Sequence, residues 1–174
     1  MRTFGLISLC LLAAGCASDS QTGVMDKVLQ DFGLQDRPEG YVSGSDRVFA
    51  SLGSLARTEL KRLNTENRRG EIKFDDRGLG GFAGRYYREV KIYEKYYPLE
   101  AMPSTRVDAG RSRGFIGYVE YEYRIYQSAR VSNRTLAAVE PANVATDIRG
   151  RETYRYRFNG GGTWMGGKGE RVRR

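Results

Sequence analysis

The chain has 174 residues, a formal charge of +8, 12 tyrosines, two cysteines and no histidine. Its length suits one domain with its own core, and the basic balance points to acidic partners. The missing histidine excludes Ser-His and Cys-His nucleophile pairs, imidazole metal sites and a histidine pH switch.

At the start, Arg2 supplies one positive charge and an apolar run follows. Ala13, Ala14 and Gly15 then stop that run against Cys16. This is the layout of a secretory signal. The run at 4–15 is too short to cross a bilayer, which takes about 20 residues. A cysteine directly after the small residues resembles the lipobox of bacterial lipoproteins, with a departure at Ala13, where leucine is common. The resemblance implies lipidation at Cys16 with diacylglycerol, cleavage before it and acylation (palmitate or similar) of the new terminus. Residues 1–15 are then a signal peptide, 16–23 a lipidated tether and 24–174 one domain. Several acyl chains on one residue, each buried methylene adding about 0.8 kcal/mol, make release from the lipid bilayer negligible. Ala17 is not the aspartate that retains such lipoproteins at the inner membrane, so the implied destination is the outer membrane. Cys10 falls in the signal and Cys16 carries lipid, so no thiol is left for a disulfide. An exported basic domain meets anionic lipid and cell-wall glycan, not nucleic acid.

Residues 17–23 are small and polar, a tether spanning at most about 25 Å. Val24, Val28, Leu29 and Phe32 recur at helical spacing over 24–34. The polar side there carries Asp26 and Asp31 against only Lys27, so the segment suits packing on its own domain better than lying on a membrane. Pro38, Gly40 and Gly44 mark a loop. The main helix follows, capped by Ser43 or Ser45, with Phe49, Leu52, Ala56, Leu60 and Leu63 as its stripe. Arg68 and Arg69 form its basic last turn and Gly70 its stop.

From residue 71 the period changes to two. Strands are expected at 71–75, 85–97, 114–129, about 144–158 and 163–173, with a glycine-rich link at 78–84, long connections at 98–113 and 130–143, and a tight turn at 159–162. Alternation puts Val90, Ile92, Val119, Tyr121, Tyr123, Ile125, Tyr154, Tyr156 and Phe158 toward the helix. The fold class is α+β: an antiparallel β-meander of about four to five strands packed on one long N-terminal helix. In order and proportions it is similar to cystatin-like rolls.

Motifs for chemistry are few. Gly162 to Lys168 has phosphate-loop spacing, but Gly169 stands where a magnesium-binding Ser or Thr belongs. Gly78 and Gly80 fit a loose dinucleotide pattern followed by a strand, which offers no helix N-terminus to a pyrophosphate. Asn133-Arg134-Thr135 matches a glycosylation acceptor by chance. No cofactor and no metal are expected. Glu89, Glu120 and Glu122 share one expected face, and carboxylate pairs cleave glycans, so a carboxylate-based glycan-processing enzyme is the alternative function. Lys91, Arg124 and Arg155 on that face would pair them and leave poor general acids. The remaining signal is aromatic: eleven of the twelve tyrosines lie between Tyr86 and Tyr156. Tyr87, Tyr93, Tyr118 and Tyr126 would form a platform edged by Lys91, Arg124 and Arg155, and such surfaces dominate binding hot spots. The expected function is a membrane-anchored envelope lipoprotein with a non-enzymatic binding or scaffolding domain facing the periplasm. Its partner would be an envelope protein, a cell-wall glycan or an anionic lipid.

Overall fold

The structure is a computed structural model that describes residues 29–31, 34–36, 39–76, 84–104 and 114–173. The expected signal, Cys16, the expected tether and most of the expected first helix lie outside the described residues.

Helix α1 (Gly44–Asn67) precedes every strand. Ser43 caps it, its Oγ accepting from the Asp46 N–H at 3.1 Å. Asp31 adds a buried negative charge at the same end, accepting from the Gly44 N–H at 2.5 Å, from Arg47 Nη2 at 3.2 Å and from the Tyr41 hydroxyl. Negative charge is favoured at a helix N-terminus. At the other end Gly70, at φ +63°, takes the left-handed stop, and its N–H bonds to the Asn67 carbonyl at 2.9 Å. Arg68 and Arg69 fall just past the last helical residue, so the expected basic last turn is not part of the helix.

The buried stripe of α1 is Val48, Leu52, Leu55, Ala56, Glu59 and Leu63. Leu52, Ala56 and Leu63 are in the expected stripe and Leu60 packs at its edge, but Phe49 is 47% exposed and Val48 is buried in its place. The stripe also takes in a charged residue, Glu59. A buried carboxylate is tolerated when paired and hydrogen-bonded. Arg62 Nε reaches both Glu59 oxygens at 2.9 and 3.1 Å, and its Nη2 adds a bond at 2.8 Å.

Strands β1 (Glu71–Asp75), β2 (Arg85–Pro103), β3 (Phe115–Gln127), β4 (Val144–Phe158) and β5 (Glu170–Val172) form a curled antiparallel meander in chain order. The fold is therefore mixed α+β, with α1 packed on one face of the sheet, here the inner face. Residues β-branched or aromatic at alternate positions build β3 and β4 as expected. Two strand boundaries differ by more than two residues. β2 runs on through Pro98 to Pro103, because β1 pairs only with its first residues, 85–89; beyond them Pro98 sits on an edge and owes no N–H to a neighbour. The last strand shrinks to Glu170–Val172, since Gly166 and Gly167, at φ +76° and +90°, turn the chain away after a lone bridge from Trp164 to Phe158. The connection at 130–143 holds a short helix, α2 (Arg134–Val139). Asn133, part of the acceptor-like triplet, is its cap, and Arg88 donates to the Ala138 and Glu140 carbonyls at its far end at 3.1 and 2.5 Å.

Between α1 and the sheet lies a core of Val48, Leu52, Leu55, Ala56 and Leu63 against Tyr93, Phe115, Val119, Tyr121, Tyr154, Tyr156 and Phe158. Four core tyrosines are acceptable because their hydroxyls have partners. Tyr121 and Tyr156 bond at 2.9 Å, Tyr93 and Tyr154 at 3.0 Å. The rings of Tyr93, Tyr121 and Tyr154 meet edge to face, Tyr121 and Tyr154 at 5.5 Å.

Candidate functional site

One extra residue decides which side chains share a face. The β2–β3 register steps from Tyr93 opposite Tyr123 to Lys95 opposite Glu122, leaving Glu94 as a bulge. Side chains alternate along a strand, so the bulge exchanges the two faces of β2. Before it, Tyr87, Glu89, Lys91 and Tyr93 are on the inner face and Val90 and Ile92 on the outer, the reverse of the uninterrupted alternation. After it, Lys95 is on the outer face, as expected.

The expected platform is thereby divided. Tyr93 is only 4% exposed and belongs to the core. Tyr87 is on the inner side under the Arg130 guanidinium, 4.9 Å from its ring centroid. Lys91 lies over the Tyr123 ring at 4.5 Å and bonds to Glu152 at 2.8 Å. Tyr118, Arg124, Tyr126 and Arg155 remain together on the outer face. The three candidate carboxylates are divided as well. Glu89 is inner, salt-bridged to Lys73 at 2.5 Å; Glu120 and Glu122 are outer, with Arg151 at 3.2 and 3.8 Å.

The outer face reads as cross-strand rows. Glu100, Tyr118, Arg155 and Glu170 make one. Tyr97, Glu120 and Thr153 make the next, with Arg151 5.8 Å from the Tyr97 ring. Lys95, Glu122 and Arg151 follow, then Ile92, Arg124 and Arg149. Opposite charges across strands stabilise modestly, and like charges directly opposite do the reverse. Glu170 holds Arg155 at 2.5 Å and Arg157 at 3.1 Å. Arginine bonding keeps the Glu170 carboxyl below the usual range. Beside that pair a groove of about 350 Å³ opens, lined by Arg155, Arg157, Trp164, Met165 and Lys168. The face follows the curl of the sheet, with arginines along β4 and aromatic rings at intervals.

The inner face carries a polar cluster around Glu152, which is buried. Its Oε1 receives Lys91 at 2.8 Å and Arg171 Nη2 at 3.0 Å; its Oε2 receives the Tyr93 hydroxyl at 2.5 Å and that of Tyr154 at 3.2 Å. Burial pushes its pKa up, but the bonds from Lys91 and Tyr93, with the Lys91 and Arg171 charges, outweigh that and hold it below the usual carboxylate range. Burial first, then the bond to Glu152, raises the Tyr93 hydroxyl. An ionised, fully bonded carboxylate is built for holding strands together and has no proton to give at neutral pH.

Sequence reasoning missed Tyr97, Arg149 and Arg151 on the outer face, and Glu152 inside. The spacing of Tyr93, Tyr96 and Tyr97, which breaks period two, was the available sign of the bulge. Glu152 shares parity with Tyr154 and Tyr156, so its inward position was open to the same alternation. Among the described residues no group of three potential metal-binding Cys, Asp or Glu side chains converges, and no helix is long and apolar enough to cross a membrane. Comparison with protein-family models, with curated proteins and with solved structures finds no match.

Proposed function

We propose that this protein is a lipid-anchored envelope lipoprotein, sorted to the outer membrane, whose domain binds or scaffolds an acidic partner through the outer face of its sheet. Residues 6–16 support the anchor. The observation that carries the binding role is the row structure of that face, where β4 presents Arg149, Arg151, Arg155 and Arg157 beside Tyr97, Tyr118 and Tyr126. Tyrosine and arginine are the residues that concentrate binding energy. The wrapping of a five-stranded meander round one helix further supports a cystatin-like roll, a shape that leaves one sheet face open. A glycan-processing enzyme draws less support, because Glu89 lies across the sheet from Glu120 and Glu122 and each is ion-paired.

Two experiments test this. In cells fed a labelled fatty acid, Cys16→Ser is expected to abolish labelling and move the chain to the soluble fraction; unchanged membrane partition overturns the anchor. A photo-crosslinker at Tyr118 is expected to capture an envelope component that one at Ser54, an exposed site on α1, does not. Equal yields from both positions overturn the binding face.

A further inference from the structure

Along the outer face, four cross-strand rows differ in how their charges are answered. Arg155 has Glu170, and Arg151 has Glu120 and Glu122. The row at the far end has two cations and one carboxylate, which stands off the row. There Arg124 on β3 stands directly opposite Arg149 on β4, with Cβ atoms of such partners about 5 Å apart. Arg124 has an ion pair with Glu94 on the bulge, 3.8 Å from its Nε and without a hydrogen bond. That same Glu94 oxygen already accepts from the Tyr126 hydroxyl at 2.6 Å. The Arg124 Nε is buried without a hydrogen-bond partner, and its side chain is only 22% exposed, so water screens the charge incompletely. Among the described residues Arg149 has no ion pair.

A local backbone irregularity follows the two arginines. β4 passes from Arg149 to Ala145 while β3 passes only from Arg124 to Tyr126. Thr146 ties off the extra residues, its Oγ1 donating to the Ile125 carbonyl at 2.8 Å and accepting from the Ile148 N–H at 3.2 Å. A regular ladder would carry β4 past this point without the loop. Both arginine charges also bear on the Tyr126 hydroxyl, pulling its pKa down against the larger upward effect of its bond to Glu94. The two guanidinium groups therefore act on one small region of the face.

We infer that Arg124 and Arg149, with Tyr126 beside them, form a binding site for a phosphate-type oxyanion. Two planar forks of donors match a tetrahedral group with several acceptor oxygens, and a dianion answers two facing cations where a single carboxylate answers one. The inference rests on the proposed use of the outer face for binding and not on the anchor. A free phosphate group and a phospholipid head group share this chemistry.

The test uses the full chain carrying Cys16→Ser, so that attachment by acyl chains plays no part. Thermal unfolding is followed in inorganic phosphate and in chloride of matched ionic strength. Phosphate also stabilises proteins generally by exclusion from their surface, so the informative quantity is the difference from Arg149→Gln and Arg124→Gln. The expected result is a saturable rise in Tm that either variant loses, and that Arg149→Lys keeps in part. In chloride, Arg149→Gln is expected to melt at or above the parent temperature, since it relieves repulsion, which also shows that the variant folds. A phosphate response equal in parent and variants overturns the site. In the second arm the proteins are sedimented with phosphatidylglycerol or phosphatidylcholine vesicles. Arg149-dependent binding to the former, competed by inorganic phosphate, assigns the head group as the ligand; a Tm response with no vesicle binding assigns a free phosphate.

Discussion

Asn64 on α1 pairs with the backbone of Tyr93 as a neighbouring strand would. Its Oδ1 accepts from the Tyr93 N–H at 2.8 Å and its Nδ2 donates to the Tyr93 carbonyl at 2.9 Å. One turn on, Asn67 Nδ2 donates to the Lys91 carbonyl at 3.2 Å. β1 reaches only as far as Glu89, so these amides close the β2 edge where the strand partner ends. They also fix the height of the helix against the Glu94 bulge, on which the assignment of faces depends.

Replacing Asn64 by alanine leaves two backbone groups of Tyr93 without partners, each costing about 1–3 kcal/mol when buried. A loss of roughly 2–4 kcal/mol is expected, measured as a lower urea midpoint at unchanged slope. Asn64→Asp keeps the acceptor and loses the donor, and is expected to fall between. If aspartate and alanine destabilise equally, the strand-like pairing is not what holds this edge.

Glu152 sets an acid limit on stability. Its folded pKa lies below the ordinary glutamate value of 4.5, so the unfolded chain binds the proton more readily. The stabilisation is complete above the unfolded value and is lost as pH falls through the depressed folded one. Glu66 and Glu170 on the surface, lowered chiefly by Lys168 and Arg155 respectively, shift in the same sense. Glu152→Gln is expected to lower stability at pH 7 by about 3 kcal/mol, since Lys91 and Arg171 lose their counter-charge. The variant should also show a shallower fall in stability from pH 5 to pH 3 than the parent. Urea midpoints across that range decide it, and parallel curves would remove Glu152 from the explanation.

How far the fold could be read beforehand depended on whether local pattern or geometry was in charge. β1 and β4 follow from alternation and turn chemistry, and Asn159 closes its turn as its type suggests, its Oδ1 accepting from the Gly161 N–H at 3.0 Å and the Thr163 N–H at 2.9 Å. Gly70 stops α1 for the reason its freedom at positive φ suggests. The faces of β3 and the C-terminal half of β4 also follow from period two. Those of β2 do not, because one inserted residue exchanges all that precede it, and Tyr93 moves from platform to core. Glu59 was hidden by its charge: its burial rests on Arg62, nearly one helical turn away, which no hydrophobic period records. The opposed Arg124 and Arg149 needed the strand register itself.

α1 packs tightly on the sheet at Gly117 on β3. A Cβ there would sit 2.6 Å from Leu52 Cδ2 and 3.0 Å from Phe158 Cε2, and both side chains are buried. Neither can swing to solvent, so the helix must lift or the rings must shift. Overpacking of this kind costs about 1–3 kcal/mol, and Gly117→Ala is expected to lower Tm accordingly. The sharper measurement is a double-mutant cycle with Leu52→Val, which removes a methylene from α1 at the point of contact. Leu52→Val alone destabilises by leaving a void, and the pair is expected to be more stable than the sum of the two losses by at least about 0.5 kcal/mol, the coupling that touching residues show. Strict additivity would place the limit on helix–sheet spacing elsewhere, at Asn64 and Asn67, and the Asn64→Ala loss would then have to account for it.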